Sequence, residues 1–276
     1  MTKVSTRLLA GACALVLGAQ VAAAQDCKPA HDFPTVTKGV LTIAVTTYPP
    51  ASFMDDKGNP KGYDNDILVE FAKRECLTVK AVSVDPAAAI QYVLSGQADT
   101  STGSWYRTAE RAKVMSLSAP IYNDQMGFYS KDGLSKISDF EGKVVGTVQG
   151  YNWIGDFKKI FGENLKLYPS AVNLQQDLRI GRIDVGVDGY ASGAYAEQQG
   201  ALEGIKVRVG EPDDRVLAST NAPQVGYPYN KRSTAFGEAL DANIAAMHAD
   251  GTIVKLLGEY GLDASSADVG AARLIE

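Results

Sequence analysis

The chain has 276 residues, 45% of them hydrophobic, with 27 basic against 32 acidic side chains and a formal net charge of −5 at pH 7. That length and apolar content support one large domain or two small ones around a substantial core. The acidic balance disfavours nucleic acid as a partner.

Residues 1–24 carry Lys3 and Arg7, an apolar stretch from Leu8 to Leu17, then Ala22-Ala23-Ala24. This is the charged, apolar and small-residue layout of a secretory signal peptide, with cleavage expected before Gln25 and secretion of the mature chain. A membrane anchor needs about 20 apolar residues with suitable flanks, and this stretch is interrupted and alanine-rich. Lipidation at Cys13 is disfavoured, because Cys13 precedes the end of the apolar run. Without the two basic residues of the leader, 25 basic groups face 32 acidic ones, a net charge of −7. No later stretch is long and apolar enough to span a bilayer. Cys27 and Cys76 remain, and in an oxidising compartment an isolated pair favours a disulfide over two buried thiols. Two cysteines and two histidines, none at ligand spacing, give no support for a metal site. His31 and His248 read as solvated surface residues, and nothing calls for a cofactor.

In chain order, Leu41–Val45 reads as a short buried strand, stopped by the two prolines after Tyr48. Tyr48 and Phe53 are thereby left at the strand's carboxyl end, where ligands bind in open α/β sheets. Asp56-Lys57-Gly58-Asn59-Pro60 is turn chemistry, and Asp64 or Asn65 is expected to cap a helix bearing Ile67, Leu68 and Phe71. Val79–Val84 reads as a second strand. Asp85-Pro86 starts a helix with Ala89, Ile90, Val93 and Leu94 as its buried stripe, and Gly96 ends it. A second half repeats the plan: Val144–Val148 as strand, Gln149–Trp153 as loop, Trp153–Phe161 and Leu174–Ile180 as helices, Ile183–Val187 as strand. Strands alternating with helices predict a parallel-sheet α/β construction. The Ala-, Ser- and Gly-rich tail after Asp263 is expected to fray.

Four segments carry a resemblance to a known family: Tyr48-Pro49-Pro50-Ala51-Ser52-Phe53 followed by Gly62-Tyr63-Asp64-Asn65-Asp66-Ile67, then TAERAKVMSLSAPIY at 108–122, GKVVGTVQG at 142–150 and MHADGTIVKLLGEYG at 247–261. In order and spacing they resemble the periplasmic solute-binding proteins of amino-acid ABC importers, across about residues 39–262. The resemblance implies a two-lobed fold of the type II periplasmic-binding-protein class with a hinge and an interlobe cleft. Its lobes would be residues 25–122 with the return 216–276, and residues 123–215. The crossings are expected near Asn123–Gln125 and Asp213–Leu217. It further implies a small-molecule ligand, an ABC permease as membrane partner, and action as a monomer without enzymatic activity.

Arg111 falls at the family's ligand-carboxylate arginine, a role suited to the planar guanidinium fork. Ser104 matches a ligand-contacting position, and Asn152 stands where relatives commonly carry threonine at a helix start favourable to anions. The glycine-led loops Gly103-Ser104-Trp105-Tyr106 and Gly150-Tyr151-Asn152-Trp153 bring Trp105, Tyr106, Tyr151 and Trp153 to strand ends, as a cleft lining or as ordinary core. Such rings suit an apolar, aromatic or quaternary-ammonium group. Gly189 stands at the family's amino-group aspartate, with Asp188 one residue early, so either an amino acid or a betaine-like carboxylate fits. An enzyme of the dehydratase type on the same fold needs a cleft carboxylic acid. No Gly-x-Ser-x-Gly elbow, phosphate loop or histidine triad is present.

Overall fold

The computed structural model describes residues 27–275 apart from Asn152, so the expected leader lies outside the described residues, as does Asn152 itself. Strand β1 (Val40–Val45) is buried along nearly its whole length because Leu41, Ile43 and Val45 enter one cluster and Ala44 another. A parallel strand covered on both faces reads as a continuous apolar run. After the hairpin β2 (Phe53–Met54) and β3 (Pro60–Lys61), helix α1 (Tyr63–Arg74) lays Ile67, Leu68 and Phe71 on the core. Its N-cap is Gly62, at φ 100°, where a Cβ would come within 2.3 Å of the Ala51 carbonyl oxygen. Only glycine fits there, so the helix starts ahead of the expected Asp64 or Asn65 cap, and both side chains are free for other work.

Then follow β4 (Thr78–Ser83), α2 (Pro86–Leu94), β5 (Thr100–Thr102), α3 (Ala109–Val114), β6 (Ser116–Leu117) and β7 (Tyr122–Asn123). Of the expected α2 stripe, Ala89 and Val93 are fully buried, and Ile90 and Leu94 partly so. The second lobe contains β8 (Met126–Ser130), β9 (Val145–Val148), α4 (Ile154–Phe161), β10 (Leu165–Tyr168), α5 (Ala171–Arg179), β11 (Val185–Gly189), α6 (Tyr190–Gln198), β12 (Lys206–Val209) and α7 (Leu217–Thr220). The chain returns through β13 (Gln224–Val225), β14 (Pro228–Tyr229), α8 (Thr234–Ala249) and α9 (Thr252–Gly258).

The two sheets run β4-β1-β5-β14-β6 and β10-β9-β11-β8-β12. In each, three parallel strands meet an antiparallel fourth, so the second lobe repeats the first. Between them β7 pairs antiparallel with β13, Asn123 opposite Gln224 and Tyr122 opposite Val225. Val216 and Ala218 are buried in the cluster that also holds Phe128, Val145 and Val187.

Two further expectations are corrected. The tail after Asp263 is docked: buried Gln224 donates to the carbonyls of Val269 (2.6 Å) and Ala271 (2.9 Å), Arg107 donates to the Arg273 carbonyl (2.9 Å), and Ile275 bridges Thr108. His31 is not simply solvated, since its Nδ1 lies 2.6 Å from the buried Glu75 carboxylate and its backbone N–H donates to the same group. The Cys27–Cys76 disulfide closes beside that pair. No helix among the described residues is long and apolar enough to cross a membrane.

Candidate functional site

Both sheets turn the carboxyl ends of their parallel strands toward the space between the lobes, and the loops there build the site. After β1, Tyr48 and Ser52 close a tight loop through reciprocal backbone bonds of 2.6 and 2.9 Å. Tyr48 is 44% exposed. Phe53 leaves this loop for β2, opposite Lys61, and is not among the residues of the cavity.

After β5, Ser104 holds φ 55°, an uncommon conformation for a side-chain-bearing residue. What holds it is Asp64, whose Oδ2 accepts the backbone N–H groups of Gly103 (3.0 Å) and Ser104 (2.7 Å) while Oδ1 accepts the Tyr122 hydroxyl (2.8 Å). Burial pushes the Asp64 carboxyl up to about 6, opposed by those bonds. Trp105 donates to Ser101 Oγ at 3.1 Å and packs against Ala44, Ala89 and Ala98. The Arg111 guanidinium lies 5.0 Å from the centroid of its ring and donates to the Tyr106 carbonyl at 2.6 Å. Thr108 caps α3 by accepting the Arg111 backbone N–H. Burial lowers the Arg111 pKa, and no carboxylate pairs with it among the described residues.

A cavity of about 240 Å³ opens beside this loop, walled by Tyr106, by Asp124 and Gln125 after β7, by Met126, Gly150, Tyr151, Trp153 and Gly189 of lobe two, by Ala218 and Pro223, and by Ile275 of the tail. Tyr151 stacks on Trp153 with centroids 3.9 Å apart, and Trp153 is fixed by its bond to Thr147 Oγ1 at 2.9 Å. The Tyr106 hydroxyl donates to Asp124, and the Tyr151 hydroxyl donates to Asp188. Burial is the main cause that raises Asp124, to about 6, with the charges of Asp188 and Asp64 adding to it. Burial likewise raises Asp188, whose second oxygen has no partner among the described residues. Desolvation of its hydroxyl raises Tyr48, and the charges of Asp124, Asp188 and Asp64 add to it.

Of the residues expected from sequence, Tyr106, Tyr151 and Trp153 line the cavity, Asp188 adjoins it through its bonds to Tyr151 and Gly189, Ser104 and Trp105 sit on the loop that supplies Tyr106, Arg111 sits on α3 behind that loop, and Tyr48 closes the loop after β1. Asn152 lies outside the described residues. Of the rings considered as a cage, Tyr106, Tyr151 and Trp153 meet at the cavity, and Trp105 lies under the Arg111 guanidinium. Sequence reasoning missed Asp124, hidden in a segment read only as a crossing, and Ile275. No cluster of three or more potential metal ligands occurs among the described residues.

The family profile of the bacterial extracellular solute-binding proteins, family 3, matches residues 41–263. The L-cystine-binding protein TcyJ of Escherichia coli is 26% identical over 233 residues, covering 79% of this chain and 81% of that protein. Substrate-binding domain 2 of Lactococcus lactis GlnP, in an open conformation, superposes with TM-score 0.70 at 25% identity over 83% of this chain and 98% of that one. The unliganded, open L-cystine receptor of Neisseria gonorrhoeae gives 0.71 at 19%, over 83% and 96%, a likeness of fold.

Proposed function

The chain belongs to the bacterial extracellular solute-binding proteins, family 3, and from that premise we propose that it captures one amino acid or amino-acid derivative between its lobes and delivers it to an ABC-type permease. The observation that carries this reading is a cavity walled by lobe one, both crossings and lobe two, with aromatic rings from each lobe. A ligand there gains contacts from both lobes only when they approach, and that difference is what drives closure. Names of relatives add support, since TcyJ and the Neisseria receptor are named for L-cystine.

On this reading residues 25–122 and the C-terminal return hold the ligand first, with Arg111 on its carboxylate and Tyr48 and Ser104 beside it. The lobe beginning at residue 123 and running through α7 swings in with Tyr151, Asn152, Trp153 and Asp188. Secretion through the 1–24 leader puts the monomer in the periplasm, where the closed form docks on the permease. Native mass spectrometry of the purified protein is expected to show a retained small molecule, and small-angle scattering to show compaction when it is restored to stripped protein. A radius of gyration that ligand leaves unchanged would sink the closure mechanism.

A second reading, a dehydratase on this fold, is favoured by Asp124, a cleft carboxyl raised to about 6 and so able to give a proton near neutrality. Incubation with a prephenate-like acid checks it. Absence of any aromatic product absorbance leaves the binding reading alone.

A further inference from the structure

The tail beyond Asp263 runs along both strands of the β7–β13 ladder. It begins at the short 3-10 turn Ala264–Ala267, where Ser266 Oγ donates to Gln125 Oε1 at 2.8 Å and the Gln125 amide donates to Ser265 Oγ at 3.3 Å. The Asp268 carbonyl then accepts the Asn123 side-chain amide at 2.7 Å, and the carbonyls of Val269 and Ala271 accept that of Gln224. Arg273 donates its backbone N–H to Gln224 Oε1 at 2.8 Å and its guanidinium to the Ala222 carbonyl and, at 3.3 Å, to Asn123 Oδ1. One segment thus grips both strands.

Both ends of that segment are fixed to lobe one. Before it lies α9, seated on the core through Ile253 and Leu257. After it, Ile275 donates to the Arg107 carbonyl at 3.0 Å and accepts the Ala109 N–H at 2.9 Å, while the Arg107 guanidinium donates to the Arg273 carbonyl. Ala109 opens α3, where a backbone donor has no partner inside the helix. Ile275 completes that helix end.

Given the lobe closure proposed above, on which this inference rests, the middle of the segment sits where motion is concentrated. Rotation is absorbed by a few residues in the connecting strands, and the side chains of Asn123, Gln125 and Gln224 move with the backbone that carries them. Their bonds to a segment held on lobe one must then break or exchange. Arg273, which reaches both strands, is built to let go: its Nε is buried without an acceptor among the described residues, so its docking carries a cost. There is also room to move, because a cavity of about 540 Å³ separates Asp268–Gly270 from Val209–Pro212 of lobe two. The ligand cavity meets the same segment twice, at Gln125 and at Ile275.

We propose that residues 263–275 form a strap that holds the two lobes at one angle, and that the lobes turn only as its bonds to Asn123, Ala222 and Gln224 are released. Spin labels at Val69→Cys on α1 and Val172→Cys on α5, both exposed positions, report the interlobe distance in ligand-stripped protein by pulsed electron resonance. The full chain is expected to give one narrow distance. Removing residues 268–276 should broaden it or add a second distance. The double variant Gln224→Ala with Arg273→Ala, which cuts the middle bonds and leaves the chain in place, should do the same while still melting cooperatively.

Equally narrow distances in all three proteins would overturn the strap and leave lobe closure to ligand-induced compaction. Equally broad distances would overturn the strap while upholding lobes that turn. Broadening on deletion but not in the double variant would overturn these bonds as the restraint. Should the shortened chain fail to fold, the double variant decides alone, an unchanged distance sinking the proposal.

Discussion

Asp64 of the first helix and Ser104 of the loop after β5 are joined at 2.7 Å, carboxylate to backbone N–H, and this bond holds a positive-φ turn at the cleft. Asp64→Ala removes the one oxygen that accepts both N–H groups. Leaving buried donors unsatisfied costs about 1–3 kcal/mol. Urea unfolding is expected to show that loss together with weaker ligand binding; unchanged values for both would mean that the loop holds itself.

The same acids set a pH dependence. Asp64 and Asp124 stand at about 6 in the folded chain against an ordinary 3.8. The native state therefore binds more protons than the unfolded one between about pH 4 and 6, so their contribution falls as pH rises through that window and returns on acidification. Glu75, held low by His31 and Asn243 against its burial, acts oppositely, but its loss comes only below its ordinary 4.5. The melting temperature of stripped protein should rise from pH 7 to pH 5, with a smaller rise in Asp124→Asn. A flat or falling profile contradicts this.

Arg111→Met removes the guanidinium proposed to meet the ligand carboxylate. Affinity is expected to fall about 30-fold to several thousandfold. Since the same group lies over Trp105 and anchors the Tyr106 carbonyl, Arg111→Lys, which keeps the charge without the planar fork, should also bind weakly. Titration calorimetry showing full affinity in either variant would remove Arg111 from the site.

The Cys27–Cys76 bond spans 49 positions. Chain-entropy reasoning gives roughly 4 kcal/mol for a loop of that length. Cys27→Ser should lower unfolding stability toward that amount, and peptide mapping without reductant should find the linked pair in the secreted protein. Two alkylatable thiols there would rule the bond out.

Deleting residues 268–276 exposes Gln224 of the second crossing, whose amide donates to two tail carbonyls. Hydrogen exchange at residues 222–225 is expected to accelerate, with about 1–3 kcal/mol lost in stability. Unaltered exchange would show that the tail rests on the crossings without supporting them.

Much of the fold was legible because it is written in local pattern: the β1 run, the glycine and proline punctuation, the repeated strand and helix order. Tyr106, Tyr151 and Trp153 were legible as glycine-led loops at strand ends. What escaped depends on distant partners. Asp64 looks like a cap to any rule that searches the next three residues, yet it bonds to Gly103 and Ser104. Asp124 gains meaning only from Tyr106 before it and Gly189 far after it. The tail looks frayed by composition because its hydrogen bonds reach back to Arg107, Asn123 and Gln224.

The stacked pair on the cavity wall gives the protein an optical readout of its own. The chain has two tryptophans, Trp105 under a guanidinium in lobe one and Trp153 against Tyr151 in lobe two. Each indole reports on one side of the cleft. Intrinsic emission should therefore register occupancy without any label, and replacing either tryptophan by phenylalanine would assign the signal to one lobe, turning a titration into a record of which half responds first.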